Sequence, residues 1–511
     1  VVARLSVQGL MNSDARPSTK PIRKPVTSVA DLFEDLGLAY GKGEKVLGMM
    51  EQWMGPETFM KGIRQYLQDH TWKNATAEDL WSALSKASGL DMEAPLSSFL
   101  DQPGLPMVTV DVEPGGVLKM TQRRFLNEGV TAPAETWIFP VRIKYAAGGK
   151  TATRTVILDR GTRKLELGAD PDWVMPDAGA YGYYRWNIPA PMLVEMARHA
   201  ADRLSETERV AFLGNASALL DTDALSGDDY LEILNSFAGD AQPDVLSSVV
   251  SGLAKVESAF VPDELRRDFA RYVRSMLRPL LNRFGFQKRA GENEAVTLFR
   301  PRLIKWLGDE GGDGEVRRKA LKMARAYLTS PASVDAALAD VVLGLAAIDG
   351  DEELFKAYRK NFEEAREPAV RGRYLSALGR FADVDLQEKA LQYVLEGPVR
   401  PNELFQIPRG LGRTEAGEAR LFTWLTRHFE ALSARIPPQF VASLPFFAGG
   451  CSSDRLEAAR RFFSDPAHQV QGTGRTLAKL SDQVHDCVRL RKREGPAVEA
   501  YLRPRRASGA P

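Results

Sequence analysis

The stretch Tyr40-Gly41-Lys42-Gly43-Glu44, followed by Val46-Leu47-Gly48-Met49-Met50, decides how the chain is read. A tyrosine stands just before the glycine at which a helix is expected to begin, with an apolar stripe behind it. Set that way, the side chain is held rigidly and offers its hydroxyl as a neutral donor. Such a donor suits stabilising an oxyanion during attack on a carbonyl. By itself, a tyrosine at a helix start is far more often a packed surface residue. The surrounding sequence has to carry the weight.

Downstream, Val46, Leu47, Met50, Trp53 and Met54 recur at helical spacing, and Phe59, Ile63, Tyr66 and Leu67 form a second stripe beyond the break Gly55-Pro56-Glu57. Thr76, followed three residues later by Asp79, signals another helix start. This helical zone, residues 1–105, closes at Gln102-Pro103-Gly104-Leu105-Pro106, too rich in breakers for an element interior. Over residues 106–186 the period changes to alternation. Strands are expected at 107–112, 117–121, 137–145, 151–158 and 164–167, forming a small antiparallel β-sandwich. Residues 187–500 read as amphipathic helices joined by tight turns. Ser205 to Glu208 is a capping box, Ser226 to Asp229 starts another helix, and further helices are expected at 316–328, 333–347, 352–365, 369–381 and 416–432. Helix pairs that cannot bury their own faces imply a C-terminal α-solenoid of HEAT-like hairpins. Residues 501–511 are a basic tail. The fold class is therefore mainly α and multidomain.

Composition narrows the function classes. The 511 residues correspond to about three domains. Hydrophobic residues at 44% and charged residues at 26% describe an ordinary folded chain. A net charge of +1 leaves no global field for nucleic acid or membrane, so neither is expected as a partner. Two cysteines, Cys451 and Cys487, rule out a disulfide framework or a thiolate zinc cage, and five histidines limit metal chemistry almost as severely. The longest uncharged stretch, 436–453, carries Pro437, Pro438, Pro445, Gly449 and Gly450, too many breakers for a transmembrane helix. The chain begins Val1-Val2 without Met and reads as a piece of something longer, so a secretory signal is untestable and the cytoplasm is the default compartment.

The wider pattern changes the weight on Tyr40. Tyr40-x-Lys42-Gly43 is followed by Met54-Gly55, Phe59, Gly62, Tyr66-Leu67, Asn74-Ala75-Thr76, Asp79-Leu80-Trp81 and Gln102-x-Gly104-x-Pro106. That order and spacing resembles the zinc aminopeptidases of the gluzincin class, the aminopeptidase N-like or alanyl aminopeptidase family. Leu118 to Phe125, with its Gln122-x-x-Phe125, resembles a strand of the family's sandwich domain, and Trp137-x-x-Pro140 another. Gly182-Tyr183-Tyr184-Arg185-Trp186-Asn187 resembles the motif that leads into its C-terminal helical domain, and Leu204-Ser205-x-x-Glu208-Arg209 its first helix. Glu44, Phe99, Asp177 and Trp186 depart from the pattern and bear on local packing only.

The resemblance implies zinc and peptide substrates. In the family a helical His-Glu-x-x-His plus a downstream Glu binds the metal, because His at i and i+4 share a helix face and zinc lowers the pKa of bound water to ~7. Here His70, His199, His428, His468 and His485 have no second His four residues on, so no metal ligand is assigned to this chain. The family places that motif before a segment resembling Met11-Asn12-Ser13-Asp14 and Pro21-Ile22. The expectation is that residues 1–105 are the helical remnant of a thermolysin-like catalytic domain, inactive alone, whose intact parent holds zinc. By the same carry-over Tyr40 is the transition-state tyrosine, donating to the oxyanion while zinc polarises the same carbonyl. The alternative is a non-catalytic peptide-binding scaffold that keeps the fold.

Smaller signals read as structure. Gly472-Thr473-Gly474-Arg475-Thr476 lacks a phosphate loop's ending and is expected to be a plain turn; Gly311-Gly312-Asp313-Gly314 is a loop between helices. Arg489, Arg491, Lys492 and Arg493, with Arg503, Arg505 and Arg506 beyond, read as a solvated helix end. His485 and Cys487 point to different helix faces and form no site. The sequons at Asn74 and Asn215 are read as chance.

Overall fold

Local capping signals place several of the helix starts. Thr76 accepts from the Asp79 amide at 3.3 Å while the Asp79 carboxylate accepts from the Thr76 amide at 2.8 Å. Ser205 and Glu208 make the same reciprocal pair at 3.3 and 2.8 Å. The computed structural model describes residues 2–25 and 36–503. It divides into two compact units, Val1–Phe237 and Ala238–Pro511.

The first unit opens with α1 (Val2–Asp14), α2 (Leu36–Met54), α3 (Pro56–Asp69), α4 (Ala77–Ser88) and α5 (Glu93–Leu100). Helix α2 starts earlier than expected, so Tyr40 lies inside it and not before its first turn. Gly41 is there for a different reason from the one the sequence suggested: a Cβ at that position would lie 2.6 Å from Leu10 Cδ2 of α1. The second apolar stripe is also less buried than expected. Phe59, Ile63 and Tyr66 are half-buried, Leu67 is exposed, and the buried residue of α3 is Gly62, pressed against Leu84 of α4.

Seven strands follow: β1 (Pro106–Glu113), β2 (Val117–Arg124), β3 (Phe139–Ala147), β4 (Lys150–Leu158), β5 (Thr162–Glu166), β6 (Trp173–Met175) and β7 (Arg185–Asn187). They form two small sheets ordered β5-β2-β1-β7 and β4-β3-β6. All pairings are antiparallel except β1 with β7, which runs parallel and joins Met107 to Arg185. Strand β3 begins two residues later than expected because the Gln122 side chain takes both backbone groups of Trp137, each at 2.9 Å. Val108, Val110, Leu118, Met120, Val141 and Ile143 are completely buried. The unit ends with α6 (Ala190–Arg198), α7 (Ala200–Arg203), α8 (Glu206–Leu219) and α9 (Gly227–Ser236).

The second unit is helical: α10 (Pro243–Phe260), α11 (Arg266–Phe284), α12 (Glu294–Gly308), α13 (Gly314–Thr329), α14 (Ala336–Ile348), α15 (Glu352–Glu364), α16 (Pro368–Leu378), α17 (Val384–Glu396), α18 (Gln406–Leu411), α19 (Glu415–Arg427), α20 (Phe429–Ser433), α21 (Pro438–Val441), α22 (Ser453–Phe462) and α23 (Thr473–Leu502). Sequential helices pair as α11 with α12, α13 with α14 and α15 with α16, while α10, α12, α14, α16 and α18 touch in series. The helix expected at 416–432 is broken at His428. Gly472 adopts a left-handed φ of 102°, and Thr473 to Thr476 form the first turn of α23, so the plain turn is corrected to a helix start.

The basic run 489–493 lies within α23, not at a solvated end. Arg489 pairs with Asp486, and Arg491 pairs with Glu415 and donates to the Ala259 carbonyl. Arg505 and Arg506 lie outside the described residues. The two cysteines build no framework, but they join in a single bridge between Cys451 and Cys487. No helix among the described residues is long and apolar enough to cross a membrane.

Candidate functional site

On α2 the sequence puts Lys42, Val46, Met49 and Met50 on one stripe, and all four are buried. Tyr40, two residues before Lys42 and so about 200° round the helix, is 77% exposed. A lysine on a buried stripe has to find a partner. The Lys42 ammonium, 0% exposed, lies 3.1 Å from Asp14 Oδ2, donates to the Gly104 carbonyl at 2.9 Å and sits 5.7 Å from the Tyr183 ring centre.

Asp14, at the end of α1, collects the other donors. Its Oδ1 accepts from Thr19 Oγ1 at 3.0 Å and the Gly104 amide at 3.2 Å, and its Oδ2 accepts from the Tyr183 hydroxyl at 3.1 Å. Burial lowers the Lys42 pKa, and the charge and hydrogen bond of Asp14 oppose that shift. Burial, with the Asp14 charge adding to it, raises Tyr183 well above an ordinary phenol. Tyr183 is therefore a neutral donor. Gly104 can present both backbone groups to this pair because its φ is +88°.

Arg185 ties the same helix α1 from the other side. Its guanidinium donates to the Gln8 side chain, to Gln8 O at 3.2 Å, to Asn12 Oδ1 at 2.6 Å and to Gly214 O at 3.4 Å. Burial lowers its pKa to about 10, which leaves it charged at neutral pH. Trp186 exchanges backbone bonds with the Asn215 side chain at 3.0 and 2.7 Å, and the Tyr184 hydroxyl donates to Pro176 O at 2.9 Å. Asn215 is thus spent inside the fold, which agrees with reading its sequon as chance.

A small cavity of about 30 Å³ lies beside these residues, lined among others by Gln8, Met11, Lys45, Asp177, Arg185 and Val210. Asp177 accepts from the Gly182 amide at 3.0 Å. Burial raises its pKa to about 6.

Four separated sequence stretches therefore meet: 11–14, 40–43, 102–106 and 182–187. Tyr40 is the sequence-predicted catalytic residue, and it stands exposed on the helix they lock. Sequence reading missed Asp14 and Lys42 as a pair. The signal was present as a charged residue at i, with Val46 at i+4 and Met49 at i+7.

The histidines are scattered. His468 stacks on Phe462 at 3.9 Å, His428 packs against Trp424, His70 lies 3.8 Å from Asp79 and His199 3.0 Å from Glu195. Among the described residues no three His, Cys, Asp or Glu side chains come together in a way that could hold a metal ion. The described residues do not fit a zinc site.

Comparison with known proteins gives two family matches. The ERAP1-like C-terminal domain matches residues 173–486, and the peptidase family M1 domain matches residues 2–102. Aminopeptidase 2, mitochondrial, of Saccharomyces cerevisiae is 22% identical over 511 residues, covering 98% of this chain and 53% of the relative. Alanine/arginine aminopeptidase of the same yeast is 25% identical over 519 residues, covering 98% and 58%. Puromycin-sensitive aminopeptidase of Caenorhabditis elegans is 23% identical over 499 residues, covering 94% and 52%. The chain spans about half the length of the curated relatives it matches.

Proposed function

Because the chain belongs to the M1 family of zinc aminopeptidases, with part of the catalytic domain and the ERAP1-like C-terminal domain, we propose that it is the C-terminal part of an enzyme that releases N-terminal residues from peptides. Tyr40 is its oxyanion donor. The observation that carries this reading is the two-sided character of α2: Lys42 is locked into a buried ion pair while Tyr40 stands clear on the opposite face. A phenol on a helix that cannot shift is a preorganised donor for charge that develops on a carbonyl oxygen.

Zinc comes with the family, and its ligands are proposed to lie outside this chain. Residues 1–105 are read as the remnant of a thermolysin-like catalytic domain, 106–186 as a sandwich domain and 187–500 as an α-solenoid, with a basic tail at 501–511. The solenoid reading is supported by the serial contacts of α10, α12, α14, α16 and α18.

The test is Tyr40→Phe in a protein in which this sequence is continuous with a His-Glu-x-x-His segment. Turnover is expected to fall by about 10²-fold or more with the melting temperature unchanged, since an exposed hydroxyl contributes little to stability. Near-normal turnover removes Tyr40 from the chemistry. Peptide binding with no hydrolysis in that same continuous protein favours the scaffold reading.

A further inference from the structure

The chain's two cysteines are joined where four elements of the second unit converge. Cys451 immediately precedes Ser452, the N-cap of α22, and Cys487 lies midway along α23 with a Cα–Cα distance of 5.2 Å. Cys451 Sγ is 3.9 and 3.8 Å from the carbonyls of Ser258 and Ala259 at the end of α10. Arg491, one turn after Cys487 on the same face, donates to those same two carbonyls and pairs with Glu415 at the start of α19. Arg455, one turn after Cys451, pairs with Glu418 of α19 and donates to Gly449 O.

Half-buried polar contacts and the bridge add to the apolar packing of this junction. The apolar anchors of α23 are Leu480, Val484 and Leu490, and the segment before it is anchored by Leu456, Ala459 and Phe463, all of them on α22 or the residue that follows it. That preceding segment, 452–472, is α22 plus a connection whose ends are Cys451 and the helix start at Thr473. Both cysteines are half-buried, so a small thiol can reach the sulfur atoms.

We propose that the Cys451–Cys487 bridge is a reducible fastening: oxidised, it clamps α22 and the first half of α23 onto the ends of α10 and α19; reduced, it releases the 452–472 segment to open locally. A dithiol reductant breaks the S–S bond by forming a mixed disulfide, which its second thiol resolves. The reductant ends as a cyclic disulfide and the protein as two thiols, so two electrons and two protons are transferred. The bridge closes a loop with a sequence separation of 36 residues. Constraint on that scale limits the open states available to the segment, while the buried leucine and valine anchors keep the helix itself docked.

The test is hydrogen exchange read by mass spectrometry on the purified chain, as isolated and after dithiothreitol, beside the Cys451→Ser/Cys487→Ser variant. Non-reducing peptide mapping is expected to recover 451 and 487 in one linked peptide. Amides of 452–472 are expected to exchange about tenfold faster after reduction, with α12 to α16 unchanged. The double variant is expected to match the reduced protein and to ignore dithiothreitol. Unlinked cysteines that oxidised glutathione fails to join overturn the proposal. So does exchange over 452–472 that reduction leaves unchanged, or a dithiothreitol effect that persists in the double variant. If the double variant does not fold, the reduced wild-type protein decides the outcome by itself.

Discussion

Asp14 and Tyr183 lie 169 residues apart in the chain, yet the Tyr183 hydroxyl donates to the Asp14 carboxylate at 3.1 Å. Lys42 is bound to the same oxygen, so one buried carboxylate joins the end of α1, the middle of α2 and the strand region that precedes α6. A buried carboxylate with this many donors has its hydrogen-bonding capacity met inside the fold.

Lys42→Met is expected to leave the Asp14 carboxyl group buried and short of its main partner. The loss in unfolding free energy is expected to be about 3–5 kcal/mol by urea titration. Lys42→Met combined with Asp14→Asn is expected to cost clearly less than the two single changes added together, because the double variant strands no ion. Additive losses would show that the two groups do not act as a pair.

Asp177 supplies a pH dependence. Its pKa is raised to about 6 in the fold, above its unfolded value, so the folded state binds this proton more tightly. Its stabilising contribution is complete below the unfolded value near 4 and is lost as pH rises through about 6. The size is of order 3 kcal/mol. Asp177→Asn keeps an acceptor for the Gly182 amide and is expected to flatten the stability profile between about pH 4 and 6. Equilibrium denaturation across that window checks it, and an unchanged slope refutes it.

Gly104→Ala tests the backbone that serves both Asp14 and Lys42. At φ +88° an alanine is strained, and its Cβ would lie 2.9 Å from Arg124 Nε. A loss of about 1–3 kcal/mol is expected in thermal or chemical unfolding. A neutral result would mean that this turn relaxes freely.

In the second unit Asp309 is paired with both Arg380 and Arg413, and Arg413 also pairs with Glu310. Burial pushes the Asp309 carboxyl up, but the two guanidinium groups outweigh burial and hold it below its ordinary value. Asp309→Ala is expected to destabilise the unit by about 3–5 kcal/mol, since two cations are left facing each other. The loss should shrink when Arg380 is also replaced by methionine, measured by thermal unfolding of the four variants of the cycle.

Much of the architecture was legible because it is local. The capping boxes at Thr76 and Ser205 span three residues, and the helices 314–329, 336–348 and 352–364 announce themselves by a period of 3.6. The motif around Gly182 to Asn187 was legible as a likeness, but its work was not: Arg185 holds Gln8 and Asn12, more than 170 residues away. The same limit explains the misplaced start of α2. Gly41 looked like a helix opener, and only the approach of Leu10 reveals it as a contact point.

The sequence by itself determined the helical and strand zones, the family likeness and the choice of Tyr40, because periodicity, caps and motif spacing are written in neighbouring residues. Tertiary structure alone decided which charges would be buried together. Lys42 meets Gly104 across 62 residues and Tyr183 meets Asp14 across 169. The reason is physical: a buried charge is tolerated only where folding delivers its partners, and no local pattern encodes that delivery.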